Sequence, residues 1–150
     1  MHHISYPSIL YFGTPVVLVS TVNADGTHNI APISSIFWLG WRCMVGISAF
    51  SKTTENLLRT SECVLNLPSV NEVGAVNRLA LTTGSNPVPA GKLQKGYRYE
   101  PNKFAISGLT PLSSDIVKPA RAKQCPVHLE SVLMSTHPSA KKTRSNAAEL

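Results

Sequence analysis

The chain has 150 residues, enough for one domain with a core that needs no disulfide staples, and its 43% hydrophobic and 15% charged content excludes an intrinsically disordered chain. No apolar run reaches the ~18 residues of a membrane-spanning helix, and no basic leader followed by an apolar run opens the sequence, so a cytoplasmic protein is expected. The net charge of +6 comes without a nucleic-acid-binding signature around its basic, aromatic stretch (Lys92, Lys95, Tyr97, Arg98, Tyr99, Lys103), and such a field favours anionic small ligands.

PVVLVSTV, 15–22, is rich in β-branched side chains and predicts a buried strand. NADG, 23–26, predicts a hairpin turn, because Asp-Gly supplies the positive φ angles of tight turns. The chain returns as a second strand, THNIAPISSIFW, 27–38, with an edge or bulge at Pro32, which cannot donate to a ladder. CMVGISAF, 43–50, predicts a third strand, and Gly46 inside it implies a close backbone approach. Ser51 stands as N-cap of a helix through KTTENLLRT, with Leu57 and Leu58 facing the core. CVLNLP, 63–68, predicts a fourth strand stopped by Pro68. Val70, Val73, Val76 and Ala80 fall at helical spacing and predict a second helix over 71–81.

Residues 83–103 hold Gly, Pro, Lys and Tyr without a period and are expected as a long loop, a segment type that is often functional. KFAISGLTPL, 103–112, and CPVHLESVLM, 125–134, predict further strands. A single domain over 1–135 is expected, followed by a polar, basic, disordered tail over 136–150. Many short strands with few helices predict a β-barrel or sandwich carrying peripheral helices. Cys43, Cys63 and Cys125 are odd in number and lack CxxC spacing, so they are expected as reduced, buried thiols. His28 is expected on an exposed strand and His128 as a satisfied structural histidine; the histidines share no ligand spacing, and no metal is expected.

SAFSKTTENL, 48–57, sets a lysine and several hydroxyls at a strand-to-helix junction. A helix N-terminus offers free N–H groups and about half a positive charge, which suits a phosphate. Lys52 in the first turn opposes the helix dipole, and a bound anion would offset that penalty. Thr53 and Thr54 add donors, and Asn56 either reaches back to a ligand or caps. An N-capped surface helix with a solvated lysine fits the same spacing. GISAFSKT, 46–53, misses the P-loop pattern by one residue, Ser51 for glycine, and no later apolar strand ends in an acid for magnesium. In NIAPISSIFWLG, 29–40, a ladder broken at Pro32 leaves N–H groups such as those of Ile33 to Ser35 for a flat heteroaromatic ring. Ser34 and Ser35 add hydroxyls, and Phe37 and Trp38 supply a ring wall or a subunit contact. A bulged edge strand with core aromatics accounts for the same residues.

Together, the ordered blocks PVVLVSTVNADGTHNIAPISS, FWLG, VGISAFSKTTENLLRTSECVLNLPS, NKFAISGLTPL and KPARAKQCPVHLE, over about residues 12–132, resemble the flavin reductase family. The resemblance implies a β-rich fold, the FMN-binding split β-barrel, an antiparallel Greek-key-like barrel with short peripheral helices. It implies a homodimer with FMN at or near the subunit interface, FAD being the alternative. It implies that the strand around Ala31, Pro32, Ile33, Ser34 and Ser35 runs along the isoalloxazine. Ser48, Ala49, Ser51, Lys52, Thr53 and Asn56 match the family's phosphate and ribityl contacts. The implied chemistry is hydride transfer from NAD(P)H to flavin, with electrons passing to a partner monooxygenase or another acceptor and no side-chain acid or base. After CPVHLE the sequence departs from the family: STHPSAKKTRSNAAEL stands where further strands are expected. A flavin-binding module without turnover is therefore the alternative expectation. A related oxidase acting on pyridoxamine phosphate is a third, against which the SKTTEN and GLTPL blocks weigh.

Overall fold

The computed structural model of the chain describes residues 13–138, so the expected tail lies, from residue 139 on, outside the described residues. β1 (Val17–Val22) and β2 (His28–Ile33) pair antiparallel from Val17↔Ile33 to Val22↔His28. The turn between them closes where Asp-Gly predicts it. Gly26 takes a φ of +85°, and Asp25 Oδ1 accepts the Thr27 N–H at 3.0 Å. The single strand predicted over 27–38 divides. Ser34 and Ser35 turn the chain out of β2 into β3 (Ile36–Leu39), which pairs with β4 (Arg42–Val45) as a separate ribbon. β4 ends before Gly46, and the close approach expected there is to Ser35. The Gly46 N–H donates to the Ser35 carbonyl at 2.7 Å, and a Cβ on Gly46 would lie 3.1 Å from Ser35 Cβ.

α1 (Lys52–Thr60) starts as predicted, with Ser51 Oγ accepting the Thr54 N–H at 3.0 Å. Leu57 joins the core but Leu58 faces solvent, because neighbours on a helix point about 100° apart and α1 buries one side. β5 (Glu62–Leu67) follows. The second predicted helix opens as a 3-10 turn over Val70–Glu72, closed by a capping box between Ser69 and Glu72, and continues as α2 (Val73–Leu79). Its buried face is Ala75 and Leu79 with Val76 beside them; Val70, Val73 and Ala80 are exposed, a correction to the predicted stripe. Small Ala75 lets α2 sit close, which hydrophobicity alone does not signal.

The predicted long loop holds short elements: β6 (Thr82–Thr83), α3 (Ala90–Leu93) and β7 (Arg98–Tyr99), with β6 and β7 paired in parallel. KFAISGLTPL does not open as a strand. It begins as helix α4 (Lys103–Ser107), which Asn102 caps by accepting the Ala105 N–H and Gly108 ends at a φ of +74°. β8 (Pro111–Leu112), β9 (Arg121–Ala122) and β10 (Val127–Val132) complete the described chain.

The main sheet has the order β10-β5-β1-β2, antiparallel throughout, so Pro32 lies on an edge strand where a missing donor is tolerated. Period two divides β1 between two cores. Val17 and Val19 meet Ile36, Cys63 and Leu65 beneath the β3–β4 ribbon, while Leu18 meets Ile30, Leu79, Phe104 and Leu109 beneath α2 and α4. A strand covered on both faces reads as one apolar run, which is why PVVLV shows no alternation. The sheet, with the ribbon over one core and short helices over the other, makes the split β-barrel that the resemblance implies.

His28 is half-buried rather than exposed. Its Nδ1 accepts the Ala120 N–H at 3.3 Å, its ring stands edge-on to Phe104 at 6.4 Å, and burial lowers its pKa. His128 Nε2 donates to the Ala122 carbonyl at 2.8 Å, a structural role as expected. Cys63 and Cys125 are buried, Cys43 half-buried, and none forms a disulfide; burial pushes the Cys63 thiol up to about 12 and that of Cys125 to about 11.

Segment 113–121 is held by carboxylates from the sheet. Glu130 accepts the N–H groups of Asp115 (2.9 Å), Ile116 (2.6 Å) and Val117 (3.2 Å), and Glu62 accepts that of Lys118 at 3.0 Å. The backbone donors hold the Glu130 carboxyl below its ordinary 4.5. Its contribution to stability is therefore complete above the unfolded value and lost as pH falls through the lower folded one. Glu130→Gln is expected to cost about 1–2 kcal/mol at neutral pH and to flatten the acid limb of the stability profile, as read by urea denaturation across the acid range.

Candidate functional site

The end of β2, the corner between β4 and α1, and the segment from α2 to α4 meet around a groove of ≈ 180 Å³. Ala31, Pro32 and Ile33 form one side. Gly46, Ile47, Ser48, Ser51, Lys52 and Thr53 form the next, and Thr82, Thr83, Gly84, Lys92, Tyr97 and Lys103 lie on the far wall.

The corner is set before the helix begins. The Ser51 N–H donates to the Ser48 carbonyl at 3.1 Å, the Phe50 N–H to Ser48 Oγ at 3.3 Å, and Thr54 Oγ1 to the Ser48 carbonyl at 2.8 Å. Thr53 is buried and its Oγ1 accepts from Asn29 Nδ2 at 3.2 Å. Lys52 Nζ bonds both carboxylate oxygens of Glu55 at 2.8 Å. That pair relieves the first-turn penalty which the sequence leaves to an anion.

Gly84 closes on this corner. A Cβ there would lie 2.8 Å from Asn29 Oδ1 and 3.0 Å from Lys52 Cγ, so a side chain would displace one or the other. Asn29 is buried, and its Oδ1 has no donor among the described residues. On the far wall, Lys92 Nζ donates to Thr83 Oγ1 at 3.3 Å and sits 5.5 Å from the centre of the Tyr97 ring. Burial lowers the Lys92 pKa. Lys103 is only 3% exposed and forms no hydrogen bond or ion pair with a described residue. Burial first, then the charge of Lys92, pull its pKa down to about 8, against an opposing pull from Glu100. Three lysines line the groove and no carboxylate does. With hydroxyls at one end and the apolar Ile33, Ile47 and Leu79 along it, the groove suits a flat ligand carrying negative charge.

Of the residues expected at the site, Ala31, Pro32, Ile33, Ser48, Ser51, Lys52 and Thr53 come together here. Ser34 and Ser35 stand at the break between β2 and β3, and Ser35 is occupied in holding Gly46 through its carbonyl. Ala49 lies in the exposed turn before α1. Asn56 is fully buried, and its amide donates to Thr21 Oγ1 at 3.0 Å and Asn23 Oδ1 at 2.8 Å, so in this fold it ties α1 to the β1–β2 hairpin. Gly84, Lys92, Tyr97 and Lys103 were not expected at the site. The signal for the last three was present in the basic, aromatic stretch 92–103, but the partner surface it folds onto is not visible locally. A larger cavity, ≈ 240 Å³, lies between His28 and residues 111–120 and gathers none of the expected residues. Its histidine is committed to Ala120, which leaves the groove as the candidate site. Among the described residues no cluster of His, Cys, Asp and Glu could hold a metal ion, and no helix is long and apolar enough to cross a membrane.

The family described as flavin reductase like domain matches residues 9–144. The uncharacterized protein YdfE of Bacillus subtilis (strain 168) is 41% identical over 125 residues, covering 83% of this chain and 60% of its own. An uncharacterized protein of Aquifex aeolicus (strain VF5) is 32% identical over 127 residues, covering 79% of this chain and 58% of its own. The chain thus spans less than two thirds of the curated relatives it matches. Among solved structures, the flavoredoxin of Desulfovibrio vulgaris (Miyazaki F) superposes with a TM-score of 0.75 at 20% identity, over 92% of this chain and 69% of that one. Nitrilotriacetate monooxygenase component B from Bacillus cereus gives 0.68 at 21% identity, over 91% and 64%. An FMN-binding domain of a flavin reductase-like enzyme from Shewanella baltica OS155 gives 0.66 at 17% identity, over 82% and 59%. These likenesses establish the split-barrel fold.

Proposed function

The chain belongs to the flavin reductase-like family, and from that premise we propose that it binds FMN in the groove and accepts hydride there from NADH or NADPH. The observation that carries the reading is the juxtaposition of a hydroxyl-rich helix start with an apolar strand end and an unpaired buried ammonium, in a groove free of carboxylates. Ser48, Ser51, Lys52 and Thr53 hold the phosphate, with Ala49 in the same turn and Asn56 fixing the helix that presents it. The backbone of Ala31, Pro32 and Ile33, continued by Ser34 and Ser35, meets the ring. The bound flavin supplies the hydride-accepting centre. The protein's part is to hold the ring, expose one face and surround its polar edge with donors and positive charge, which favours the added electrons. No side-chain acid or base is required.

At ≈ 180 Å³ the groove is smaller than the roughly 300–1,000 Å³ of most ligand sites, so a further wall completes it. A homodimer supplies that wall in this reading. The outer face of the β3–β4 ribbon exposes Phe37, Leu39, Trp41 and Met44, with Phe37 and Met44 directly paired, and contiguous apolar faces of this kind mark association. The electron acceptor is a partner monooxygenase or another oxidant; the first fits a fold shared with a protein named monooxygenase component B. Unpaired Cys43, Cys63 and Cys125 fit the reducing cytoplasm.

Titration of FMN and FAD against melting temperature and flavin fluorescence tests binding, and anaerobic addition of each nicotinamide tests turnover. Quenched fluorescence, a raised melting temperature and bleaching of the flavin's visible band are expected. No response to either flavin would overturn the proposal. Binding without bleaching by either nicotinamide would instead support a flavin-binding module.

A further inference from the structure

The ≈ 240 Å³ cavity beside His28 shares no residue with the groove, and its lining has a pattern of its own. Leu112, Val117 and Ala120 give it an apolar body, while His28, Ser113 and Lys118 bring polar groups to it. Val117 and Ala120 are buried; Leu112, Ser113 and Lys118 stand at the solvent edge. The segment that forms most of the wall is held from outside. Glu130 and Glu62 accept the N–H groups of Asp115 to Lys118, Arg121 donates to the Ser113 carbonyl, and the Ser114 hydroxyl donates to the Pro119 carbonyl. These bonds leave the cavity preformed and spend the nearby carboxylates on backbone; none of them lines it.

His28 is committed to Ala120 through Nδ1 alone. Because Nδ1 accepts the Ala120 N–H, the ring's proton sits on Nε2. That N–H has no acceptor among the described residues. Charging the ring would set two donors against each other at Nδ1, and burial opposes the charge as well. The imidazole is thus a fixed neutral donor. The Lys118 ammonium and the Ser113 hydroxyl likewise have no partner among the described residues. One donor from β2 and two from the segment after β8 border the same apolar space.

We propose that this cavity binds a small organic monocarboxylate: its carboxylate accepts from His28 Nε2 and the Lys118 ammonium, and its apolar body lies against Leu112 and Val117. Inorganic phosphate fits less well, since the apolar residues would strip its water without replacing it. The space equals roughly eight waters at ~30 Å³ each, which admits a ligand the size of benzoate and excludes a nucleotide.

Benzoate and its neutral analogue benzamide are the probes. Each is titrated into the full chain, with and without FMN, and followed by proton–nitrogen spectra of the backbone and of the imidazoles. Benzoate is expected to give saturating shifts at Leu112 to Lys118 and at His28 Nε2, and benzamide to bind about fivefold more weakly or less. The His28 ring is expected as the neutral Nε2–H tautomer throughout. Lys118→Gln, a change at the surface, should weaken benzoate about fivefold and leave benzamide as it is. His28→Asn keeps an acceptor for the Ala120 N–H but has no donor in place of Nε2, and should lose most of the binding. Its melting temperature checks the fold, and if it unfolds, Lys118→Gln and the tautomer decide. Saturating shifts without FMN support the site whether or not FMN binds. Shifts gathered at residues 48–53 would put benzoate in the groove and overturn the proposal. So would equal binding of benzamide, a His28 ring charged or protonated at Nδ1, or shifts that never saturate.

Discussion

Replacing Asn66 with alanine is expected to lower the stability of the folded chain by about 3 kcal/mol. The residue sits in the middle of β5 and is fully buried. Its Nδ2 donates to the Leu18 carbonyl at 2.9 Å and lies 3.3 Å from both Ser20 Oγ and the Val64 carbonyl; its Oδ1 accepts the Ala122 N–H at 2.8 Å. One amide thus joins β5 to β1 on one side and to β9 on the other. Ser20 extends the network by donating to the Ala120 carbonyl. Alanine would leave the Leu18 carbonyl and the Ala122 N–H buried with fewer partners and would open a cavity as well. Leucine would restore volume but not the bonds. Aspartate would be worse than either, because a carboxylate cannot donate to the carbonyls and its charge would be buried. Ser20→Ala, which loses the bond to the Ala120 carbonyl and the longer one from Asn66 Nδ2 but leaves the rest of the network in place, should cost less, about 1–2 kcal/mol. Urea denaturation reads these differences as shifts of midpoint at constant m. A loss under about 1 kcal/mol for Asn66→Ala would mean that β9 moves to find other partners.

Asn66 also shows where reading the sequence stops. CVLNLP announces a strand, but nothing local says that the asparagine inside it faces a second layer and fastens a segment 56 residues away. Features set by neighbours in sequence were legible: the Asp-Gly turn, the Ser51 cap, and the apolar runs of β1, β5 and β10. Those set by distant neighbours were not. The strand predicted over 27–38 breaks at Ser34–Ser35 because β2 must stay on the sheet while β3 leaves to pair with β4, a choice made by packing. The stretch that becomes α4 was read as a strand because an apolar run this short fits either period, although Asn102 and Gly108 were the cap and the stop of a short helix. The site divides in the same way. Its phosphate-like corner lies within a few residues of chain and was visible. Its far wall comes from 82–103, delivered by pairing of β6 with β7 and by the Arg98 N–H donating to the Leu81 carbonyl.

Lys52→Ala is expected to weaken FMN binding by roughly tenfold to a hundredfold, and Glu55→Gln to strengthen it a few-fold. The first estimate is that of one hydrogen bond to a charged group, about 1.5–3 kcal/mol. The second follows from removing a carboxylate that competes for the same ammonium and repels a phosphate. Lys52 and Glu55 hold each other at 2.8 Å, but Glu55 is 57% exposed, and an exposed pair on one helix contributes at most about 1 kcal/mol. A phosphate at the helix start can therefore take Lys52 from Glu55 at little cost. Neither substitution should shift the unfolding midpoint much, so changed affinity would not reflect changed folding. The opposed signs separate a phosphate cradle from a capped surface helix whose lysine has found its partner. For the cradle, fluorescence titration shows one variant weaker and the other tighter than wild type. For the surface helix it shows both unchanged, and Ser48, Ser51 and Thr53 would then have to hold any phosphate without the lysine.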